Sequence, residues 1–248
     1  MQYETVVQAR FLKRVNRFVA TVELAGREET VHVKNTGRCL ELLVPGAQVI
    51  LARGRGTARK TAWDLVAVRK LQAPREGRGA PQETKEKAEA LLINMDATAP
   101  NDAAAEWLPE SGLFSADAVL RREVTWGKSR FDFEITEGEA RHFVEVKGVT
   151  LEEENRGFFP DAPTERGVKH IEELIRAKAE GFGAILLFVA QWERATSVSP
   201  NEKTHPAFAQ ALRNAAVAGV RLLAVRCRVF ENGMEIIDRI PVDLTGEM

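Results

Sequence analysis

Three residues of this chain have the types and spacing for metal-assisted phosphodiester chemistry: Asp132, Glu145 and Lys147. Asp132 lies in Ser129-Arg130-Phe131-Asp132-Phe133, and the other two lie in Phe143-Val144-Glu145-Val146-Lys147-Gly148. Side chains alternate faces along a strand, so Val144 and Val146 point to one side and Glu145 and Lys147 share the other. On the preceding strand Phe131 and Phe133 are expected to mark the core side, leaving Asp132 opposite. A two-residue turn at Gly138-Glu139, with Gly at the first position of a type II′ turn, fixes a hairpin register. That register makes Asp132 and Glu145 direct cross-strand partners, with Cβ atoms about 5 Å apart. Two carboxylates so placed repel unless a cation lies between them. Mg²⁺ or Mn²⁺ fits, because both take oxygen ligands and fill the remaining places with water and phosphate oxygen. Lys147, on the same face, can orient a water or offset charge building on a phosphate under attack.

Charged residues on the outer face of a hairpin are common, and Glu145 with Lys147 alone would mean little. The surroundings give the set its weight. From Ala88 onward the chain reads as alternating helices and strands: a helix over Ala103–Leu108 with Asp102 as its N-cap, then strands at Glu123–Trp126, Ser129–Thr136 and Arg141–Val149. A helix over Thr164–Glu180 follows, with Val168, Ile171 and Ile175 on its apolar side and Gly181 as its stop. Ala184–Ala190 is a continuous apolar run, the mark of a strand covered on both faces. A helix over Pro206–Ala218, a strand over Val220–Phe230 and an edge strand or extended tail over Met234–Leu244 complete the set. This predicts a mixed sheet flanked by helices, an α/β sandwich, with the carboxylate-bearing strand near its centre.

The first 72 residues read differently. Short strands at Thr5–Phe11, Phe18–Leu24, Glu29–Val33, Gln48–Ala52 and Trp63–Leu71 are separated by turn signals at Ala25-Gly26, Thr36-Gly37 and Pro45-Gly46. Five such strands fit a small closed barrel of OB type, a shape that binds oligonucleotides on one face. Arg10, Lys13, Arg14 and Arg17, interleaved with Phe11 and Phe18, are the candidate phosphate contacts and stacking surfaces. Of the two rings, Phe18 reads more as core than as platform. Residues 74–87 are rich in Pro, Gly and charge and read as a linker, which sets the expected domains at 1–75 and 85–248.

Net charge is −1, but the sign is unevenly spread. Residues 1–75 hold 14 Lys/Arg against 6 Asp/Glu, while the remainder holds 21 against 30. A basic module joined to an acidic one suits a protein whose first part meets phosphate and whose second holds metal. No apolar run approaches the roughly 18–20 residues of a membrane helix, and Met1–Arg10 lacks an apolar signal core. A cytoplasmic, non-membrane protein is expected. Cys39 and Cys227 are far apart and read as a reduced, buried pair, and the four scattered histidines do not suggest zinc. Nothing in the sequence fixes an oligomeric state.

The segment Phe143–His170, FVEVKGVTLEEENRGFFPDAPTERGVKH, and above all Gly157–Gly167 within it, resembles the SfsA (sugar fermentation stimulation protein A) family. SRFDFEI, VKNTGRC and SPNEKTHPAFAQAL carry the same resemblance across nearly the whole chain. It implies an OB-like domain followed by a restriction-endonuclease-like domain of the PD-(D/E)xK superfamily, and DNA as partner. It places Asp132 as the first acid, Glu145 as the second and Lys147 as the lysine. Phe131 stands where the motif name has proline. An extra acid often sits on the first helix of such domains, and Glu106 or Glu110 could fill that place. The helix opened by Thr164 often adds a residue too. Here Glu165 and Lys169 share one face, and Arg166 and His170 the next. The stretch Asn155–Thr164, with Phe158, Phe159 and Pro160, is expected to be an ordered loop over the site. Three functions compete: a metal-dependent nuclease, a DNA-binding regulator that keeps the fold without cutting, and hydrolysis of a small nucleotide, against which the basic N-terminal module speaks.

Overall fold

The computed structural model describes residues 1–35, 37–54, 56, 59–71 and 90–245. The expected linker at 74–87, both expected domain borders and Thr36 lie outside the described residues. The N-terminal strands are β1 (Val6–Asn16), β2 (Val19–Leu24), β3 (Arg27–Val33), β4 (Gln48–Arg53) and β5 (Trp63–Leu71). They run in the order β3-β2-β1-β4-β5, and a parallel pairing of β3 with β5 closes the barrel. Closure buries Val22, Val31, Val49, Leu51 and Leu65 inside. β6 (Ala90–Asn94) pairs antiparallel with β5, so the barrel's sheet gains a strand from beyond the segment read as a linker.

The C-terminal part comprises α1 (Ala99–Trp107), β7 (Val119–Trp126), β8 (Ser129–Glu137), β9 (Ala140–Val149), β10 (Leu151–Glu153), β11 (Arg156–Phe159), α2 (Glu165–Ala179), β12 (Gly183–Ala190), β13 (Ser197–Pro200), α3 (Pro206–Val217), β14 (Arg221–Phe230) and β15 (Gly233–Ile240). Its main sheet has the order β15-β14-β12-β9-β8-β7. β9, β12 and β14 are mutually parallel, and antiparallel strands flank them on either side. β9 is therefore central and β15 an edge, as the apolar patterning required. On one side α1 and the 3₁₀ turn after it pack Ala103 and Leu108 against Phe133, Val144 and Leu187. On the other, α2 and α3 pack Ile171, Leu174, Phe208 and Leu212 against Phe143, Leu186 and Phe188.

The structure departs from three local expectations. Helix α1 begins at Ala99 behind Thr98, with Pro100 in its first turn, so Asp102 lies inside it and pairs with Arg122 instead of capping. The stretch 155–164 is not a simple loop: β11 pairs with β10 and with β13 in a small three-stranded sheet. The two rings of the basic ribbon exchange roles. Phe11 is buried in the barrel, whereas Phe18 occupies the turn between β1 and β2 and is 48% exposed.

Buried ionic and amide groups tie the barrel to the sandwich. Lys34 Nζ lies 2.6 Å from Asp96 Oδ2, and Lys70 Nζ lies 2.5 Å from Glu152 Oε2. Gln191 Nε2 donates to Asn94 Oδ1 at 3.1 Å. Asp96 and Glu152 are almost wholly buried, so each needs its cation and holds it in place.

Candidate functional site

The register read from the Gly138-Glu139 turn is the one observed: Phe133 pairs with Val144, Glu134 with Phe143 and Glu137 with Ala140. The ladder ends at Phe133–Val144, one step before Asp132 and Glu145 would pair. There β8 parts from β9. Phe131 packs on the α2–α3 side of the sheet while Phe133 packs on the α1 side, which strict alternation would not allow. The expectation that both rings mark one face is therefore wrong. The change of face brings the Asp132 carboxylate into the opened seam, where its Oδ2 accepts the Val146 N–H at 2.7 Å. Its Oδ1 accepts from Asn101 Nδ2 at 2.6 Å. A side-chain carboxylate thus stands in for a main-chain acceptor at the point where the strands diverge.

Glu145 sits on central β9 and is 2% exposed. Its Oε1 accepts from Lys147 Nζ at 2.6 Å and also bonds His170 Nδ1. Arg166 Nε donates to His170 Nε2 at 3.2 Å. A guanidinium can only donate, so Nε2 is the acceptor and the ring proton belongs on Nδ1, facing Glu145. Both donors converge on one oxygen. The other, Oε2, is buried without a hydrogen-bond partner. Burial pushes the Asp132 carboxyl up, and the Glu145 charge adds to this. Burial also opposes ionisation of Glu145, but the His170 bond and the Lys147 charge outweigh it and hold that carboxyl below its usual range. The pair thus offers one firmly ionised carboxylate and one that is costly to charge, beside an orphaned oxygen. A divalent cation would relieve both costs, and so these residues fit the metal their pattern implies. Among the described residues no group of three or more His, Cys, Asp or Glu is disposed to hold a metal. A cation here would rest on two carboxylates, with water and substrate oxygens completing its shell.

The other expected residues fall in several places. Glu165 is exposed and pairs with His205 Nε2 at 3.3 Å, and Lys169 is exposed. What α2 delivers to the cluster is His170, one helical turn along from Arg166. On α1 the group that reaches the cluster is Asn101. Glu106 instead binds the N-terminal amine at 2.6 Å, and Glu110 is exposed in the 3₁₀ turn after the helix. Arg10 and Lys13 are exposed on β1, with Arg10 3.6 Å from Glu23. Arg17 is exposed, 6.0 Å from the Phe18 ring centre. Arg14 is different: its guanidinium donates to the carbonyls of Asn16, Arg17, Asn35, Gly37 and Arg38 at 2.6–3.3 Å. It holds a loop, and has no donor left over for a phosphate. Sequence reasoning missed Asn101, whose amide carries no catalytic signature, and saw His170 only as one face of a charged helix.

His170 fixes the oxygen that Glu145 presents, so His170→Asn is expected to lower Mn²⁺ affinity by roughly 10–100-fold, as loss of a supporting partner does elsewhere. Isothermal calorimetry reads this directly, and unchanged affinity would show that the imidazole only fills space.

A five-strand barrel of OB type joined to a mixed α/β sandwich with a buried acidic site defines a two-part class of protein. Comparison with known proteins identifies which. Residues 12–73 match the family model described as SfsA N-terminal OB domain, and residues 98–233 match that described as Sugar fermentation stimulation protein RE domain. A sugar fermentation stimulation protein homolog from Desulfitobacterium hafniense (strain Y51) is 46% identical over 244 residues, covering 98% of this chain and 99% of its own. Another, from Acetivibrio thermocellus, is 43% identical and covers 96% of each chain. The solved structure of Pyrococcus furiosus SfsA in complex with Ca²⁺ superposes with a TM-score of 0.80 at 28% identity, over 98% of both chains. The chain belongs to the SfsA family of sugar fermentation stimulation proteins. No helix among the described residues is long and apolar enough to cross a membrane.

Proposed function

We propose that this protein is a divalent-metal-dependent nuclease of PD-(D/E)xK type that hydrolyses phosphodiesters in DNA. The observation that carries the reading is the buried, unpartnered Glu145 Oε2 beside the Asp132 carboxylate, with Lys147 on the same face. A bound Mg²⁺ or Mn²⁺ would supply Lewis acidity and lower the pKa of a coordinated water. Asp132 and Glu145 would hold it. Asn101 and the Val146 N–H orient the Asp132 carboxylate, and His170 with Lys147 orients that of Glu145. The Lys147 ammonium is placed to offset negative charge on a phosphate entering the site. The Pyrococcus furiosus relative is described as a complex with Ca²⁺, a cation with the same preference for oxygen ligands. The exposed cations of the barrel, Arg10, Lys13 and Arg17, would contact backbone phosphate. A cytoplasmic location, where chromosomal DNA is met, belongs to the same proposal. A non-cutting regulator of sugar-metabolism genes is the competing reading, and it leaves the orphaned Glu145 oxygen near the Asp132 carboxylate without a purpose.

The test is incubation with end-labelled single- and double-stranded DNA and RNA in Mg²⁺ or Mn²⁺, beside Lys147→Met protein and an EDTA control. Cutting of DNA is expected, absent in EDTA and about a hundred-fold or more slower in the variant. Binding to DNA without cutting under any of these conditions would favour the regulator.

A further inference from the structure

Between the barrel and the sandwich lies a cleft of about 360 Å³ whose lining includes Gly148, the residue after Lys147. One wall is the segment Phe158–Thr164, the unusual sequence stretch for which the hydrolytic site itself has no use. The opposite wall comes from the barrel, with Arg17 among its lining residues. Two polar groups facing this space are acceptors. Gln191 is 1% exposed, and its Nε2 donates to Asn94 Oδ1 at 3.1 Å and to the Asp96 carbonyl at 3.3 Å. With both amide hydrogens directed at acceptors, the orientation of the side chain is fixed. Its Oε1 lies towards the cleft floor, 2.5 Å from where a Cβ on Gly148 would stand. Asp161 brings a carboxylate against Gly37, where the lack of a side chain leaves it room. Among the described residues, the side-chain donor that reaches it is the Cys39 thiol, at 4.0 Å.

The cleft therefore offers two acceptors, Asp161 and Gln191, beside an apolar surface from Phe159 and a cation, Arg17. A phosphate group would be repelled from Asp161. A flat heterocycle with adjacent N–H donors is complementary, and among nucleobases guanine presents the most donors on one edge, its N1–H and N2 amine. We propose that this cleft receives a single unpaired guanine base of the nucleic-acid strand, read by Asp161 and Gln191, while the attached backbone runs past Arg17 towards Lys147. The assignment rests on the nuclease reading only for the direction of the strand. It makes the preferred substrate single-stranded or locally unpaired, since a stacked and paired base does not offer this edge.

The test measures binding in EDTA, where no cutting occurs, by fluorescence anisotropy of full-length protein with labelled ten-residue deoxyoligonucleotides. One is all thymidine, one has a central guanine and one has a central inosine, which lacks the N2 amine. The guanine oligonucleotide is expected to bind on the order of ten-fold more tightly than either of the others, the scale of a good bidentate base contact. Asp161→Asn should remove that preference, so that the guanine and all-thymidine strands bind alike. Equal binding of all three strands by the wild-type protein, or a guanine preference that survives Asp161→Asn, would overturn the proposal. A guanine preference in a protein that never cuts with metal would keep the cleft assignment and remove the nuclease.

Discussion

Asp132→Asn is expected to slow DNA cutting by about a thousand-fold or more and, in EDTA, to raise the Tm by a few degrees. The two effects have one cause. Burial and the Glu145 charge hold the Asp132 carboxyl above its ordinary pKa, so its ionised form is costly in the folded, metal-free protein. A group whose folded pKa exceeds its unfolded one supplies stability when protonated, and that stability is lost as the pH rises through the folded pKa. At neutral pH the wild-type protein thus carries the cost, and asparagine, with no charge to desolvate, does not. Asparagine still offers one oxygen to the Val146 N–H, and its amide can donate to Asn101 once that side chain flips to present its oxygen. What it cannot do is neutralise a dication. The stabilisation should shrink as the pH is lowered, because protonation relieves the wild-type protein in the same way. Thermal unfolding across pH in EDTA checks this, and a variant less stable than wild type at neutral pH would show that the carboxylate is held by favourable contacts alone.

Arg14→Ala is expected to destabilise the fold by about 2–3 kcal/mol, the range for charge-assisted hydrogen bonds whose partners are left behind. For a chain of this size that is a fall in Tm of roughly 5–10 °C. Five carbonyls, two at the β1–β2 turn and three after β3, lose their common donor, and Asn35 and Gly37 among them line the interlobe cleft. Arg17→Ala makes the contrast. That side chain is exposed, so its loss should leave the Tm unchanged and lower the salt dependence of DNA binding by about one unit of slope. A reversed result, with Arg14→Ala fully stable and Arg17→Ala unfolding early, would mean that the two arginines have been assigned the wrong way round.

Regular periodicity made much of this protein legible from its residues. The apolar run of β12 announced a strand covered on both faces, and Gly138, with its positive φ, fixed the hairpin register that brings Asp132 close to Glu145. Thr164 marked the start of α2, where its side chain caps the Gly167 N–H. What stayed hidden depends on departures from regularity or on contacts distant in sequence. The parting of β8 from β9 at Asp132 breaks the alternation from which it would have been predicted. Asn101 and His170 reach the carboxylates across 31 and 25 residues. β6 joins the barrel from beyond the expected linker because β3 pairs with β5 only at Asp64 and Leu65, which leaves Ala67–Leu71 open to β6. Arg14 and Arg17 look alike in a basic ribbon, and only the loop folded around Arg14 separates a structural cation from a free one.

The proposed chemistry requires that Asp132 and Glu145 together hold a divalent cation. Calorimetric titration of Mn²⁺ into wild-type, Asp132→Asn and Glu145→Gln proteins, each first shown to be folded, tests it most directly. A single site in the wild-type protein that both substitutions abolish is the predicted result. A site of full strength in either variant would contradict it.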